Sequence, residues 1–363
     1  MKVVSFFAGA GGLDLGFEDA GFDVVWANEY DKTIWDTYRE NHKQTILDTR
    51  SIRDIPSYEV PDCDGIIGGP PCQSWSEAGA LRGIQDARGQ LFFEFMRILA
   101  DKRPKFFLAE NVSGMMLPSN VRALNNIIEL FEECGYKLSF TSVNASDYGV
   151  PQDRKRVFFV GFRNDLDIRF DFPKPTTVEE KVTLRDAIGD LAKSAIPATD
   201  NNRSNKNKCR VPNHEYMIGG FSPIYMSRNR VRAWDEVSFT IQAGGRHAPM
   251  HPQAPKMKFI EQNVRQFVEG KERLYRRLSV RECARIQTFP DDFKFIYDNI
   301  ADGYKMIGNA VPVLLGKQIA QKIKQDLSKR VDRELTFEMQ AQLRASLNGD
   351  NIKERMVELV NAI

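Results

Sequence analysis

Short apolar runs alternate with amphipathic segments along the first 160 residues of the chain. Residues 2–7 (KVVSFF) end at a cluster of glycines, which is typical of a buried strand followed by a tight turn. Further strands are predicted at residues 23–28, 63–69, 105–109, 137–144 and 156–162, and helices at residues 13–20, 31–41, 89–101 and 119–134. Asp31 and Ser119 are the expected N-caps of two of these helices. The alternation predicts a doubly wound α/β sheet.

This pattern breaks down in the second half of the chain. Residues 172–230 are rich in Pro, Asn, Lys and Arg, and helical periodicity returns only near residue 280. We therefore predict one α/β domain that is interrupted by a smaller insert. The predicted division is residues 1–174 and 279–325 for the α/β domain, 175–278 for the insert, and 326–363 for a helical C-terminal extension. The extension is either a packed helix or a partner-binding tail.

The charge distribution singles out the insert. Hydrophobic residues make up 42% of the chain and charged residues 28%, as in folded globular proteins. The net charge of +2 says little about partners, but residues 201–280 carry 15 Lys and Arg against 6 Asp and Glu. This local excess indicates either a solvated basic face or a surface that binds a polyanion.

Several classes of protein are disfavoured by the composition. The five cysteines include no CxxC pair and the four histidines no HExxH motif, so neither a disulfide framework nor a metal site is expected. No apolar run approaches the roughly 18 residues of a membrane span. The N-terminus MKVVSFFAGAGG could mimic a signal peptide, but the strand and helix pattern that follows favours a strand. A cytoplasmic protein is therefore expected.

A glycine-rich turn follows the first predicted strand. Phe7, Gly9, Gly11 and Gly12 form the pattern F-x-G-x-G-G, which lets the backbone approach a ligand closely, although many such turns use glycine for geometry alone. Glu29 ends the second strand, where a carboxylate can accept both ribose hydroxyls of an adenosine. The pattern suits NAD or S-adenosylmethionine, and the poor match to G-x-G-x-x-G favours the latter.

A candidate nucleophile lies in the segment GGPPCQSWSE. Cys72 follows two prolines at the predicted carboxyl end of a strand, the edge at which open α/β sheets bind ligands. Because a free thiol has a pKa of about 8.5, attack requires an electrophile that is activated by acid catalysis. The alternative is a buried cysteine that acts as a small hydrophobic residue.

Three further charged residues lie near predicted strand ends. Glu110 follows the strand KFFLA, and its carboxyl group would lie near Cys72 if their two strands are neighbours; it could then donate a proton to a ring nitrogen. Arg154 and Arg156 precede the strand VFFVGF, and alternation places them on one face. They are either a solvated strand end or a pair of guanidinium groups that point into the cleft.

Together these segments resemble the motifs of the C5-cytosine DNA methyltransferases, in the family's order. The matching segments are FAGAGG (7–12), Glu29, GPPCQSWS (69–76), ENV (110–112), QDRKR (152–156), RECARIQTFPDDF (281–293) and GYKMIGNAVP (303–312). The resemblance covers roughly residues 3–320. It implies a Rossmann-like S-adenosylmethionine-dependent methyltransferase fold with a doubly wound mixed sheet and an inserted target-recognition domain.

The resemblance also implies roles for individual residues. The residues implied to hold S-adenosylmethionine are Phe7, Gly9, Gly11, Gly12, Glu29, Tyr30, Asp48, Pro70, Asn309 and Val311. Tyr30 would pack on the adenine and Asp48 would bind it, although LDT stands here in place of the usual GDI. Cys72 would add to C6 of a flipped-out cytosine, with Glu110 at N3 and Arg156 at O2, and Arg154 is also placed in the catalytic set.

The insert occupies the place of the family's target-recognition domain. Its segments PNHEY, MSRNRVRAW and HPQAP resemble bacterial modification enzymes of the HaeIII type, which implies duplex DNA with a GGCC site as the partner. Arginine pairs with O6 and N7 of guanine, so Arg228, Arg230 and Arg246 are the candidate base contacts. Arg232 and Lys256 are expected to contact phosphates.

The resemblance further implies a monomer on DNA in the bacterial cytoplasm, paired with a restriction endonuclease that acts on the same site. Residues 73–90 would form a lid over the active site. Three alternatives remain open at this point: a tRNA cytosine-5 methyltransferase, a nicotinamide-dependent oxidoreductase on the same sheet, and a catalytically silent DNA-binding relative.

Overall fold

A seven-stranded sheet forms the centre of the molecule. The computed structural model describes residues 1–71 and 87–329. The strands of the sheet are β1 Lys2–Phe6, β2 Asp23–Asn28, β3 Ile46–Asp48, β4 Gly65–Gly68, β5 Phe106–Val112, β6 Tyr136–Asn144 and β7 Lys155–Arg163. Their order is β3-β2-β1-β4-β5-β7-β6. Strands β1 to β5 are parallel, whereas β7 is antiparallel to β5 and β6. The predicted doubly wound mixed α/β sheet is confirmed.

Helices cover both faces of this sheet. The helices are α1 Gly12–Asp19, α2 Trp35–Asn41, α3 Ala87–Lys102, α4 Val121–Glu133, α5 Leu184–Ile188, α6 Val280–Ile286, α7 Ile300–Asn309 and α8 at residues 313–329. Helices α3 and α4 contribute to the apolar core on one face, and α1 and α8 to the core on the other. Within the described part of the chain, no helix has the length and apolar character that a membrane crossing requires.

Two predicted helix starts were wrong. Helix α2 begins at Trp35, because the Asp31 carboxylate accepts hydrogen bonds from the Thr33 backbone and from Lys305 instead of capping a helix. Helix α4 begins only after a short 3₁₀ turn at Pro118–Asn120, so Ser119 lies inside that turn.

Strand β5 is apolar because it is buried on both faces. Successive side chains of a strand point to opposite faces, so Phe106 and Phe107 enter the two different cores. Both are fully buried, and each such side chain stabilises the fold by about 1.5–3 kcal/mol. Gly65 and Gly161 leave room for these rings, since a Cβ at either glycine would lie 2.1 Å from one of them.

The insert has little regular structure and packs against the last helices. Strand β8 (Ile196–Pro197) pairs with β9 (Glu215–Tyr216), and β10 (Lys258–Glu261) pairs with β11 (Val264–Gln266). One core cluster joins residues of the insert to residues of α6 and α7, and a smaller cluster lies within the insert. The buried residues of the smaller cluster are Tyr225, Val231, Met250, Ala254, Met257 and Tyr275.

Candidate active site

A cleft of about 550 Å³ lies at the carboxyl ends of β1, β2, β4 and β5, and residues 306–311 form part of its wall. Strands β4 and β5 are neighbours, with Gly68 opposite Ala109, so the segments that follow these two strands meet at one edge. Ten residues that the sequence singled out line the cleft: Phe7, Gly9, Gly12, Glu29, Pro70, Glu110, Arg154, Arg156, Asn309 and Val311.

The glycine loop has an unusual backbone. Phe7, Gly9 and Gly11 have φ angles of 55°, 58° and 84°, all in the left-handed region. For Phe7 this conformation costs energy, and such strain is typical of ligand-binding loops. Gly11 does not line the cleft; a Cβ there would lie 2.0 Å from Nε2 of the buried His42. Gly11 is therefore required by packing under the loop.

Glu29 is held by the backbone on both sides of its carboxylate. Oε2 accepts a hydrogen bond from the Gly9 amide at 2.9 Å, and Oε1 accepts one from the Asp31 amide at 2.8 Å. Burial raises the pKa of Glu29, although these two hydrogen bonds favour the charged form. A carboxylate has about four lone-pair positions, so two remain for the hydroxyl groups of a ligand.

Two carboxylates of the cleft were missed by the sequence analysis. Asp14 is fully buried and accepts hydrogen bonds of 2.6 Å from the Ser5 and Tyr38 hydroxyls, and burial raises its pKa. Asp31 also lines the cleft; burial favours its neutral form, but hydrogen bonds from Lys305 and Thr33 prevail and its pKa is lowered. The signal for Asp14 was an acidic residue on the apolar face of α1.

Two residues implied to bind adenine lie outside the cleft wall. The Tyr30 side chain is 72% exposed. The Asp48 carboxylate accepts hydrogen bonds from the Arg50 amide at 2.9 Å and from the Arg50 guanidinium at 2.7 Å. The carbonyl oxygen of Asp48 also accepts a hydrogen bond from the Glu29 amide at 3.0 Å, so Asp48 supports Glu29 directly after the end of β2. Their roles toward a cofactor stay predictions.

Glu110 and Arg156 form an ion pair in the cleft. The Nε atom of Arg156 lies 2.9 Å from Oε1 of Glu110, and the two side chains are only 16% and 13% exposed. Glu110 was predicted to follow β5, but it lies inside this strand because the strand extends to Val112. A Cβ at Gly69 would lie 3.5 Å from Oε2 of Glu110, so the carboxyl group faces the segment after β4.

The segment that leads to Cys72 is tied to the end of β5. The side-chain amide of Asn111 donates to the carbonyl oxygen of Pro70 at 3.1 Å, and Pro71 lines the cleft. Cys72 itself, the predicted nucleophile, lies outside the described residues, as do most of the proposed lid at 73–90 and most of the extension at 326–363.

Arg154 and Arg156 both line the cleft, but they have different partners. The guanidinium of Arg154 is buried and donates to the carbonyl oxygens of Ile241, Gly308 and Ala310. Burial lowers the pKa of Arg154 to about 9, so the side chain still carries its charge at neutral pH. These contacts are with the protein backbone, and a direct part in catalysis does not follow from them.

The three arginines predicted to contact bases differ in exposure. Arg228 and Arg246 are exposed, and Arg228 lines a second cavity of about 180 Å³. Arg230 is buried; it donates to the carbonyls of Tyr225 and Ile224 and stacks on the Tyr225 ring.

Arg232 and Lys256, the expected phosphate contacts, form ion pairs within the protein. Arg232 lies 2.9 Å from Asp153 and stacks on Phe239, and Lys256 lies 3.1 Å from Glu236. Asp153 belongs to the QDRKR segment, so Arg232 links the insert to the start of β7. Contacts of Arg232 and Lys256 with phosphates stay a prediction.

Comparisons with known proteins identify the family of this chain. The family model for C-5 cytosine-specific DNA methylase matches residues 1–325. The chain is 59% identical over 329 residues to the type II methyltransferase M.FnuDI of Fusobacterium nucleatum, covering 90% of this chain and 95% of that protein. It is also 59% identical over 332 residues to M.NgoPII of Neisseria gonorrhoeae, covering 91% and 97%.

A solved structure supports the fold independently. A candidate DNA modification methyltransferase encoded within a prophage of E. coli has a TM-score of 0.68 at 24% identity, covering 90% of this chain and 99% of that chain. At this identity the likeness concerns the fold alone. Given the family match over nearly the whole described chain, the protein belongs to the C-5 cytosine-specific DNA methylase family and is a DNA (cytosine-5-)-methyltransferase.

Proposed function

We propose that the enzyme transfers the methyl group of S-adenosylmethionine to C5 of a flipped-out cytosine in duplex DNA, through a covalent bond between Cys72 and C6. The observation that carries this proposal is the Glu110–Arg156 ion pair in the cleft. A carboxyl group and a guanidinium group side by side complement N3 and O2, which are adjacent acceptors on one edge of a cytosine. The segment that precedes Cys72 lies against the same place.

The cleft fits S-adenosylmethionine in volume and chemistry. Its volume of about 550 Å³ is in the range of small-molecule sites. Glu29 offers carboxylate oxygens to the ribose, and Phe7 and Val311 give an apolar wall. When bound, the cofactor supplies a methyl group on a positively charged sulfur.

Cys72, Glu110 and Arg156 have separate roles in the reaction of the cytosine. The Cys72 thiolate adds to C6 while Glu110, in its protonated form, donates a proton to N3, so that the C5–C6 double bond opens and electron density moves to C5. Arg156 donates to O2 and orients Glu110. After C5 is alkylated, a base removes the C5 proton, N3 returns its proton to Glu110, the C5–C6 double bond re-forms and Cys72 leaves as the thiolate. Because C5 and C6 are inaccessible in a stacked duplex, the cytosine must leave the helix.

We assign target recognition to the insert, residues 175–278, and propose GGCC as the site. Arg228 and Arg246 are our candidates for contacts with guanines, and their exposure supports this choice. Gln242 and His247 line the small cavity beside Arg228 and add donors and acceptors for a base edge. The insert's sequence resemblance to modification enzymes of the HaeIII type supports the choice of GGCC.

We also propose a biological role for the enzyme. The relatives above are type II methyltransferases, which supports a role as the modification half of a restriction-modification system. We propose that the enzyme acts as a monomer on DNA in the bacterial cytoplasm, and that a restriction endonuclease recognises the same site.

A methyl-transfer assay tests the function. Labelled S-adenosylmethionine is incubated with the full chain and with a duplex that contains one GGCC, a duplex with GCGC in its place, or tRNA. We expect label only in the first. Transfer to GCGC would overturn the recognition site but keep the chemistry. Transfer to tRNA would favour the tRNA alternative, and binding to DNA without any transfer would favour a silent relative.

A further inference from the structure

Arg154 belongs to a buried network that joins three separate parts of the chain. Its Nη1 donates to the carbonyl of Ile241 at 3.0 Å, and its Nη2 donates to the carbonyls of Gly308 at 3.0 Å and Ala310 at 2.9 Å. The residue is 1% exposed. A guanidinium is a rigid planar donor, so these bonds fix the relative positions of all three carbonyls.

Two buried glutamines extend the network. Gln152 accepts the backbone amide of Ile241 at 2.8 Å and donates to Gln287 at 2.9 Å. Gln287 donates to the carbonyls of Ile307 at 2.8 Å and Ala310 at 3.2 Å. We call the side chains of Gln152, Arg154 and Gln287 the clasp. Both backbone groups of Ile241 are therefore held by the clasp.

The clasp adjoins the wall of the cofactor cleft: Arg154 itself lines the cleft, whereas Gln152 and Gln287 lie outside the lining. Residues 308–311 line the same cleft. Arg154 holds two carbonyls of this segment, those of Gly308 and Ala310. On the other side, Gln242 follows Ile241 and lines the small cavity of the insert.

The two segments that the clasp joins are in direct backbone contact. A Cβ at Gly308 would lie 2.3 Å from backbone atoms of Gln242 and Ala243, so only glycine allows this approach. The cofactor wall and residues 241–243 of the insert thus form one unit, and the clasp holds that unit to the start of β7.

We propose that Arg154 is a positioning residue: it holds the 308–311 wall in the conformation that binds S-adenosylmethionine, and it does not contact the target cytosine. This rests on the proposed function, because it takes the cleft to be the cofactor site. Loss of Arg154 should therefore weaken cofactor binding, whereas loss of Arg156 should impair the chemistry on the base.

Arg281 provides a matched control. It is also a fully buried arginine, and its guanidinium donates to the carbonyls of Pro212, Pro290 and Phe293. None of these three residues lines the cofactor cleft. Arg281→Met should therefore cost stability in the way that Arg154→Met does, without an effect on the cofactor wall.

The experiment measures two quantities in the full chain without DNA. The first is the Kd of S-adenosylhomocysteine by calorimetry, and the second is hydrogen exchange of the peptide at 304–312. For Arg154→Met we expect a Kd that is about tenfold higher or more, and faster exchange of that peptide. Arg154→Lys keeps the charge but makes fewer of these hydrogen bonds, so its Kd should lie between those of the wild type and Arg154→Met. If Arg154→Met does not fold, the same two measurements on Arg154→Lys test the proposal.

The results separate the positioning role of Arg154 from the proposed identity of the cofactor. A wild-type Kd and wild-type exchange in the Arg154 variants would overturn the positioning role. So would an equal loss of affinity in Arg281→Met, because the effect would then be one of general stability. If the wild-type chain does not bind S-adenosylhomocysteine, the proposed cofactor is wrong. The exchange of peptide 304–312, compared between the Arg154 and Arg281 variants, then still tests whether Arg154 holds the wall.

Discussion

The Nε atom of Arg156 lies 2.9 Å from Oε1 of Glu110, across the antiparallel pair of β5 and β7. In this register Glu110 is opposite Phe158, and Arg156 is opposite Val112. The two charged side chains are thus diagonal neighbours on one face of the sheet. Because both are largely buried, each restricts the orientation of the other, and the carboxyl group is in place before a substrate arrives.

Glu110→Gln should abolish most of the catalysis and leave DNA binding intact. The amide keeps the shape of the side chain but cannot donate the proton that N3 requires. General acid catalysis contributes roughly 10²–10⁴-fold, so the single-turnover methylation rate should fall by about that factor. Asp165→Asn is the control, since Asp165 pairs with Arg163 at the opposite end of β7, at 2.7 Å. A Glu110→Gln rate within about threefold of wild type would refute the assigned role.

Arg228→Ala and Arg230→Ala should have different effects. Arg228 is exposed beside the small cavity, so its loss should cost about 1–3 kcal/mol in binding to the specific site and relax the choice of base. Arg230 holds the backbone at residues 224–225, so its loss should lower the melting temperature. Binding measured on a panel of single-base variants of the site checks the prediction for Arg228, and thermal denaturation checks the one for Arg230. A uniform loss on all duplexes for Arg228→Ala would mark it as a phosphate contact.

Two glycines of the cofactor loop should respond differently to alanine. Both have left-handed backbones, which cost an alanine about 1–2 kcal/mol. At Gly9 a Cβ meets nothing within 4 Å, whereas at Gly11 it would lie 2.0 Å from His42. Gly11→Ala should therefore lower the free energy of unfolding by about 3 kcal/mol or more, clearly beyond Gly9→Ala. Urea denaturation without ligand measures both, and equal losses would contradict the packing role of Gly11.

His251 should make the fold sensitive to acid. It is buried against Glu282, Arg276 and His214, and burial lowers its pKa from 6.5 to about 4. The unfolded chain therefore binds more protons between these values. The contribution to stability, about 3 kcal/mol, is complete above pH 6.5 and is lost as the pH falls toward 4. Replacement by glutamine should flatten the unfolding free energy between pH 4 and 6.5, and an unchanged slope would rule out this origin.

The central sheet could be predicted from the sequence because its signals are local. The strand at 23–28 was predicted with the bounds that the structure has, since an apolar run of strand length ends at polar residues. Strand β3, with three residues, is too short to show a period. The role of Asp31 could not be predicted, because a carboxylate before a helix caps it in most sequences, whereas here Lys305 competes for it from 274 residues away.

The site shows the same division between local and distant information. The motifs that resemble the family placed Glu29, Glu110 and Arg156 in one sequence order, and the fold brings all three to one cleft. For Arg154, the alternation of side chains indicated a face of the strand, but it did not indicate which groups accept the hydrogen bonds of the guanidinium. Its partners Ile241 and Gly308 come from later segments, and a side-chain period carries no information about them.

The most direct test of the account is to trap the proposed covalent intermediate. A duplex that contains GGCC with 5-fluorocytosine at the target position is incubated with the full chain and S-adenosylmethionine, and the products are digested and analysed by mass spectrometry. Fluorine at C5 cannot leave as a proton does, so the account predicts a stable protein–DNA adduct joined through Cys72, which Cys72→Ala does not form. An enzyme that methylates the unmodified duplex but gives no adduct at Cys72 would contradict the central claim.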